Sequence, residues 1–246
     1  MSNNIITTIN PPSLLLALSE CQILFKIPKF LLEVDVMEVE KGDGHPVLVL
    51  PGFTGNDFIT KPLRDFLKRA NYKTEGWKLG FNLGYSEETF ESLSKVLLGI
   101  YHYHNQKISL VGWSLGGVFA RELAKVYPNI VRNVVTLGSP FVDILHGTNI
   151  KWLYRLINII FNHSETEVNV EILQNLNQPP PVPTSSLYSK LDGIVSWECC
   201  LNDCTREDVE NIDVDCHHIG FIFNPRVLRI LANRLSQSED NWKPYQ

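Results

Sequence analysis

The 246 residues contain no long block of like charge, no internal repeat and no paired C-x-x-C spacing. Each absence narrows what the chain does. Nucleic acid as main partner needs a basic face to neutralise phosphate, whereas 22 Lys and Arg stand here against 27 Asp and Glu, a formal net charge of −5. Cys21, Cys199, Cys200, Cys204 and Cys216 make an odd five. In a chain this long they do not suggest a disulfide framework, and reduced thiols are the expectation, with a Cys200–Cys216 or Cys204–Cys216 bridge left open. The close trio Cys199, Cys200 and Cys204 lacks metal-ligand spacing, so no metal is expected. The stretch Met1–Ser13 lacks the basic region of a signal peptide, which makes the cytoplasm the expected location.

A long uncharged apolar run is missing too. The most apolar segment, LLLALSECQILFKIPKFLL (Leu14–Leu32), is interrupted by Glu20, Lys26 and Lys29 and makes a poor membrane span. Pro12 and Pro28 frame a helix of about four turns. Packing on the core is the first expectation for it. The alternative is a helix lying on a lipid surface or lining an acyl-chain entrance, which makes residues 14–32 the candidate for peripheral membrane contact. Residues 1–33 are set apart as a helical arm and residues 34–246 as the main domain.

What is present is a core-forming chain, 44% hydrophobic and 20% charged. Strand patterns near 47–50, 74–79, 108–113, 133–138, 185–189 and 211–215 alternate with helical ones, as a parallel sheet covered on both faces requires. The stretch LVGWSLGGVFARELA (Leu110–Ala124) carries G-x-S-x-G between such a strand and such a helix. A strand, sharp turn and helix hold the serine in a strained conformation at the carboxyl end of the sheet, before a helix N-terminus. Gly112 and Gly116 remove the Cβ atoms that would clash as strand and helix close. Ser114 is therefore the candidate nucleophile.

A serine hydroxyl needs a base to take its proton and donors for the oxyanion it creates. The turn Pro51-Gly52-Phe53-Thr54-Gly55 follows a buried strand, and the backbone N–H groups of Phe53 and Leu115 are assigned as oxyanion donors. Of seven histidines, His45, His102 and His104 precede the serine, and His146 and His163 flank an apolar helical stretch. His217 and His218 follow the last strand pattern, where the third member belongs, and spacing leaves the two equal. Asp192 ends a strand between serine and histidine and is preferred as the acid, with Asp143 and Asp203 as rivals.

From about His45 to Leu235 the chain resembles the lipase/esterase-like branch of the α/β-hydrolase superfamily. The matching blocks are HPVLVLPGF, LVGWSLGG, VTLGSPF, SKLDGIVSW and HIGFIFNP. The resemblance implies an α/β-hydrolase fold with a mostly parallel central sheet, helices on both faces and a small helical cap at about 144–181. It implies nucleophile Ser114, acid Asp192, base His218 rather than His217, and oxyanion donors at Phe53 and Leu115. The apolar helix KWLYRLINIIF (Lys151–Phe161) falls where this superfamily inserts caps. Trp152 and Leu156 from it, with Trp113 and Leu83, are the expected pocket. The activity implied is hydrolysis of a small-molecule or lipid ester with an apolar acyl chain through an acyl-enzyme, with no cofactor. A thioesterase or acyltransferase using the same triad is one alternative, since GWSLGG also resembles carrier-protein methyl esterases. A non-catalytic binding module on the same fold is another.

Overall fold

A computed structural model describes residues 9–36, 38, 40–143, 147–148, 175–238 and 241–246. In chain order these residues form α1 (Leu14–Val36), β1 (Pro46–Leu50), α2 (Lys61–Arg69), β2 (Lys73–Gly76), α3 (Glu87–His104) and β3 (Ile108–Trp113). Then come α4 (Leu115–Val126), β4 (Val131–Leu137), β5 (Thr184–Tyr188), β6 (Val209–Asp213) and α5 (Pro225–Leu235). The expected cap, with Trp152, Leu156, His146 and His163, lies outside the described residues.

The six strands form one sheet in the order β2-β1-β3-β4-β5-β6, every described pair parallel. All five residues of β1 are buried, as are the first five of β3, which is why these strands read as unbroken apolar runs rather than as alternation. Alternate residues nonetheless serve opposite faces. Val47 and Val49 join a cluster with Phe66 of α2, Leu231 of α5 and Val34 of α1. Leu48 and Leu50 join Leu93 and Leu97 of α3 and Phe119 and Leu123 of α4 on the other face.

After β1 the chain first runs to β2 on one side and then crosses back to β3 on the other. The strand order thus reverses between β1 and β3, which opens a crevice at their carboxyl ends, where ligands of open α/β sheets bind. The register pairs Leu50 with Gly112, so the turns after β1 and β3 leave the sheet side by side.

Two elements differ from the sequence expectation. The second strand ends at Gly76 rather than near 79, because Trp77 N–H and Lys78 N–H donate to the Asp57 carboxylate at 2.9 and 3.0 Å instead of to a neighbouring strand. The N-terminal helix does not stop at Pro28 but runs 23 residues with that proline inside. Pro28 is exposed, and its ring leaves the carbonyl one turn back without its helical donor. Packing on both sides of it, by Ile23 and Val34, holds the helix together. The Arg69 guanidinium adds a 2.9 Å bond to the Val34 carbonyl.

The approach of α4 to β1 is so close that a Cβ on Gly116 would lie 2.3 Å from the Leu50 carbonyl oxygen. Both partners are backbone, with little room to yield. Gly116→Ala is therefore expected to destabilise the fold by about 1–3 kcal/mol or more, the cost of overpacking. Urea unfolding followed by circular dichroism checks it, as a lower midpoint at unchanged slope.

Candidate active site

Ser114 is the single residue between β3 and α4 and adopts φ 53°, ψ −125°, a conformation that side chains rarely adopt. Such strain persists only where neighbours over-determine it, and here they do. The Ser114 N–H donates to the Leu137 carbonyl at the end of β4, and the Ser114 carbonyl accepts from the Gly117 N–H, each at 2.9 Å. A Cβ on Gly112 would fall 2.3 Å from the Gly117 Cα, and one on Gly117 would fall 2.0 Å from the Ser139 hydroxyl. The glycine bracket therefore lets the first turn of α4 lie directly on β3 and β1.

The turn after β1 lies against the serine: a Cβ on Gly52 would come 3.0 Å from Ser114 Cβ. Phe53 follows in this turn, and Leu115 is the first residue of α4, whose leading N–H groups have no acceptor one turn back. The turn is clamped by the residue before Leu83. Asn82, fully buried in the loop after β2, accepts from the Thr54 N–H at 2.7 Å and donates through Nδ2 to the Pro51 carbonyl at 2.8 Å. Its backbone N–H donates to the Gly55 carbonyl at 2.8 Å. Leu83, next to it, is half-buried at the same edge.

The structure pairs His218 with Asp192. His218 Nδ1 donates to Asp192 Oδ2 at 2.6 Å, with both residues buried. The other carboxylate oxygen accepts from the Ile194 and Val195 N–H groups, both at 2.8 Å, which fixes the carboxyl plane. His217 faces elsewhere, its Nδ1 bonded to the Leu191 carbonyl at 3.1 Å. Of the rival acids, Asp143 accepts from the Ile9 N–H at 3.3 Å and Asp203 is exposed. The loop carrying His218 is tied to β3, because the Trp113 indole N–H donates to the His218 carbonyl at 3.1 Å. With Nδ1 committed to Asp192, Nε2 is the nitrogen left to accept a proton.

Burial disfavours the charged imidazolium of His218, but the charge and hydrogen bond of Asp192 outweigh it, with a further push from Glu20, and raise its pKa. The buried thiols are poor competitors as nucleophiles. All five cysteines are free; burial drives the Cys199 thiol up to about 12 and also pushes the thiols of Cys200 and Cys216 well above the ordinary value. A second Ser/His/Asp set exists at the opposite edge of the sheet, where His45 bridges Asp43 and, at 2.7 Å, the Ser109 hydroxyl. Ser109 is fully buried inside β3, so no substrate reaches it. Among the described residues no group of three His, Cys, Asp or Glu side chains is arranged to hold a metal.

The family profile described as the alpha/beta hydrolase fold matches residues 50–167, from the end of β1 past the serine turn. The chain has the α/β-hydrolase fold. Solved structures agree with it. Aspergillus fumigatus lipase B superposes with a TM-score of 0.61 at 18% identity, over 79% of this chain and 53% of that one. This chain thus spans about half the length of that fungal lipase. Paleococcus ferrophilus monoacylglycerol lipase gives 0.59 at 14% identity, over 81% and 99%. Mature Bacillus licheniformis lipase BlEst2 gives 0.57 at 17%, over 82% and 96%. No curated protein matches by sequence. At these identities the likeness is one of fold, and the three solved structures that share it here are lipases.

Sequence reading missed one acidic residue at this edge, Glu20, whose carboxylate accepts from backbone N–H groups on both the acid loop and the base loop. The available signal was an acid placed about two turns into the apolar helix, three residues before buried Ile23.

The raised pKa has a measurable consequence. The His218 imidazole, followed by NMR, is expected to titrate above the ordinary 6.5. Removing the acid's charge in Asp192→Asn leaves burial as the main influence, so the midpoint should fall.

Proposed function

We propose that this α/β hydrolase is a serine hydrolase that cleaves carboxylic esters with an apolar acyl chain. One observation carries the reading: a strained serine at a strand-to-helix turn shares the carboxyl edge of the sheet with a buried aspartate–histidine pair. In the proposed reaction Ser114 Oγ attacks the ester carbonyl as its proton passes to His218 Nε2. Asp192 holds the imidazole in the required tautomer and stabilises its charged form. The oxyanion is received by the N–H groups of Phe53 and Leu115. The alcohol departs with the proton from His218. Water, deprotonated by the same nitrogen, then releases the acid from the acyl-serine.

The apolar character of the substrate is supported by half-buried Trp113 and Leu83 beside the serine turn. Trp152 and Leu156 belong to this proposed pocket by sequence position alone. A lipid surface is the proposed source of the ester. Leu14, Leu15, Leu18, Phe25 and Leu32 of α1 are 68–88% exposed, and Phe81 in the loop after β2 is 63% exposed. Lys26 and Lys29 flank this face and suit anionic headgroups. Among the described residues no helix is long and apolar enough to cross a membrane.

A fluorophosphonate probe tests the nucleophile without any assumption about substrate. A single adduct on Ser114 is expected in the wild type and none in Ser114→Ala. On activated esters of increasing acyl length, Ser114→Ala should lower kcat by about 10⁶-fold and Asp192→Asn by about 10⁴-fold. Thioesters cleaved faster than matched oxygen esters, or acyl transfer to added alcohol, would replace the esterase reading by the thioesterase or acyltransferase one. A well-folded protein without adduct or turnover would leave a binding module.

Membrane contact is tested separately by co-sedimentation with phosphatidylcholine vesicles containing phosphatidylserine. Phe25→Glu combined with Leu18→Glu is expected to lose vesicle binding while turnover of a soluble short-chain ester stays unchanged.

A further inference from the structure

Glu20 lies on α1, outside the sheet and its crossover helices, yet it is only 3% exposed. Its described partners are all backbone donors. Oε1 accepts from the Gly193 N–H and from the His218 N–H, each at 2.8 Å, and Oε2 accepts from the Ile219 N–H at 3.1 Å. Gly193 directly follows Asp192 on the loop after β5, and His218 and Ile219 belong to the loop after β6. One carboxylate therefore binds two loops that have no common origin in the chain, across 173 and 198 residues.

The surrounding packing is built around this contact. A Cβ on Gly193 would lie 2.2 Å from the Leu16 carbonyl oxygen, so the backbone of α1 rests on the acid loop itself. Near the base loop, a Cβ on Gly220 would meet Ile23 at 3.3 Å. Were α1 required only to cover the sheet, an apolar side chain at position 20 would serve better, since burying a carboxylate is costly unless hydrogen bonds replace its water. The three N–H groups supply that replacement. They also make the carboxylate the feature that sets the spacing between the two loops.

We propose that Glu20 is a positioning residue for the proposed ester hydrolysis, holding the loops of Asp192 and His218 in register through their backbone N–H groups. This inference rests on the serine-hydrolase reading above. Glu20 touches neither the nucleophile nor the reacting carbonyl, and it acts through the His218–Asp192 pair. Its negative charge also contributes to the raised pKa of His218. The described groups facing that imidazole are Asp192 from the loop after β5, Glu20 from α1, Trp113 from the end of β3 and Phe221 from its own loop. Glu20 and Asp192 are the acids among them.

The test uses the full chain with Glu20→Gln, which is nearly isosteric and keeps one acceptor oxygen but no charge, and Glu20→Asp, which keeps the charge on a shorter arm. Folding is checked by circular dichroism and thermal unfolding. Two readouts are taken: the NMR titration of the His218 imidazole, assigned with His218→Gln, and the rate of fluorophosphonate labelling at Ser114. In folded Glu20→Gln the His218 midpoint should move to lower pH and labelling should slow by about tenfold or more, towards the roughly 10²-fold cost of a misplacement near 1 Å. Glu20→Asp should keep the midpoint near that of the wild type while labelling still slows, which separates charge from reach. A midpoint and labelling rate in folded Glu20→Gln equal to those of the wild type would overturn the proposal, as would wild-type labelling in Glu20→Asp. A wild type that takes no label at Ser114 would sink the hydrolase reading by itself, and the His218 titration would still decide the role of Glu20.

Discussion

The arrangement at the carboxyl edge depends on how closely backbone can approach backbone where β1, β3 and the first turn of α4 meet. Cβ atoms at residues 112, 116 and 117 would all fall within 2.3 Å of neighbouring atoms, a distance no packing adjustment absorbs. Glycine at these three positions brings the start of α4 onto the ends of two strands. The same closeness holds Ser114 at positive φ and sets the turn after β1 beside it. Relaxing any of these contacts would separate the serine from the turn that carries Phe53. Asn82 serves the same geometry from outside, by closing the β1 turn against the loop after β2.

The second constraint is electrostatic. A buried carboxylate beside a buried imidazole is stable only when the remaining oxygen and nitrogen atoms are partnered. Asp192 has two N–H donors on its second oxygen, and the His218 carbonyl accepts from the Trp113 indole. Glu20 completes this shell from α1. The apparent twin of the site, Asp43–His45–Ser109, shows what is missing elsewhere. Its histidine is equally well partnered, but its serine lies within a strand, in ordinary extended structure and without exposure.

The N-terminal helix thereby has two faces with different tasks. Glu20 and Ile23 face the body, and Glu20 engages the loops that carry Asp192 and His218. Leu18, Phe25 and Leu32, at intervals of seven residues, face solvent. A lipid surface contacting the outer face would lie one helix diameter, about 10 Å, from the loops that the inner face holds.

Local rules of sequence determined much of this. The apolar runs of β1 and β3 identify strands buried on both faces, and the Gly112–Ser114–Gly116 bracket identifies the strained turn, because each pattern is written within a few consecutive residues. The choice of Asp192 followed from chain order and strand position. The tertiary structure decided the rest. His217 and His218 are chemically alike and adjacent; spacing leaves them equal and the resemblance favours His218, and the direction of each side chain pairs His218, not His217, with Asp192. Pro28 was expected to end α1, yet packing on either side of it carried the helix through. Glu20 reads in sequence as an interruption of an apolar segment. Its partners lie up to 199 residues away, and hydrogen bonds across such a separation leave no periodic trace along the chain.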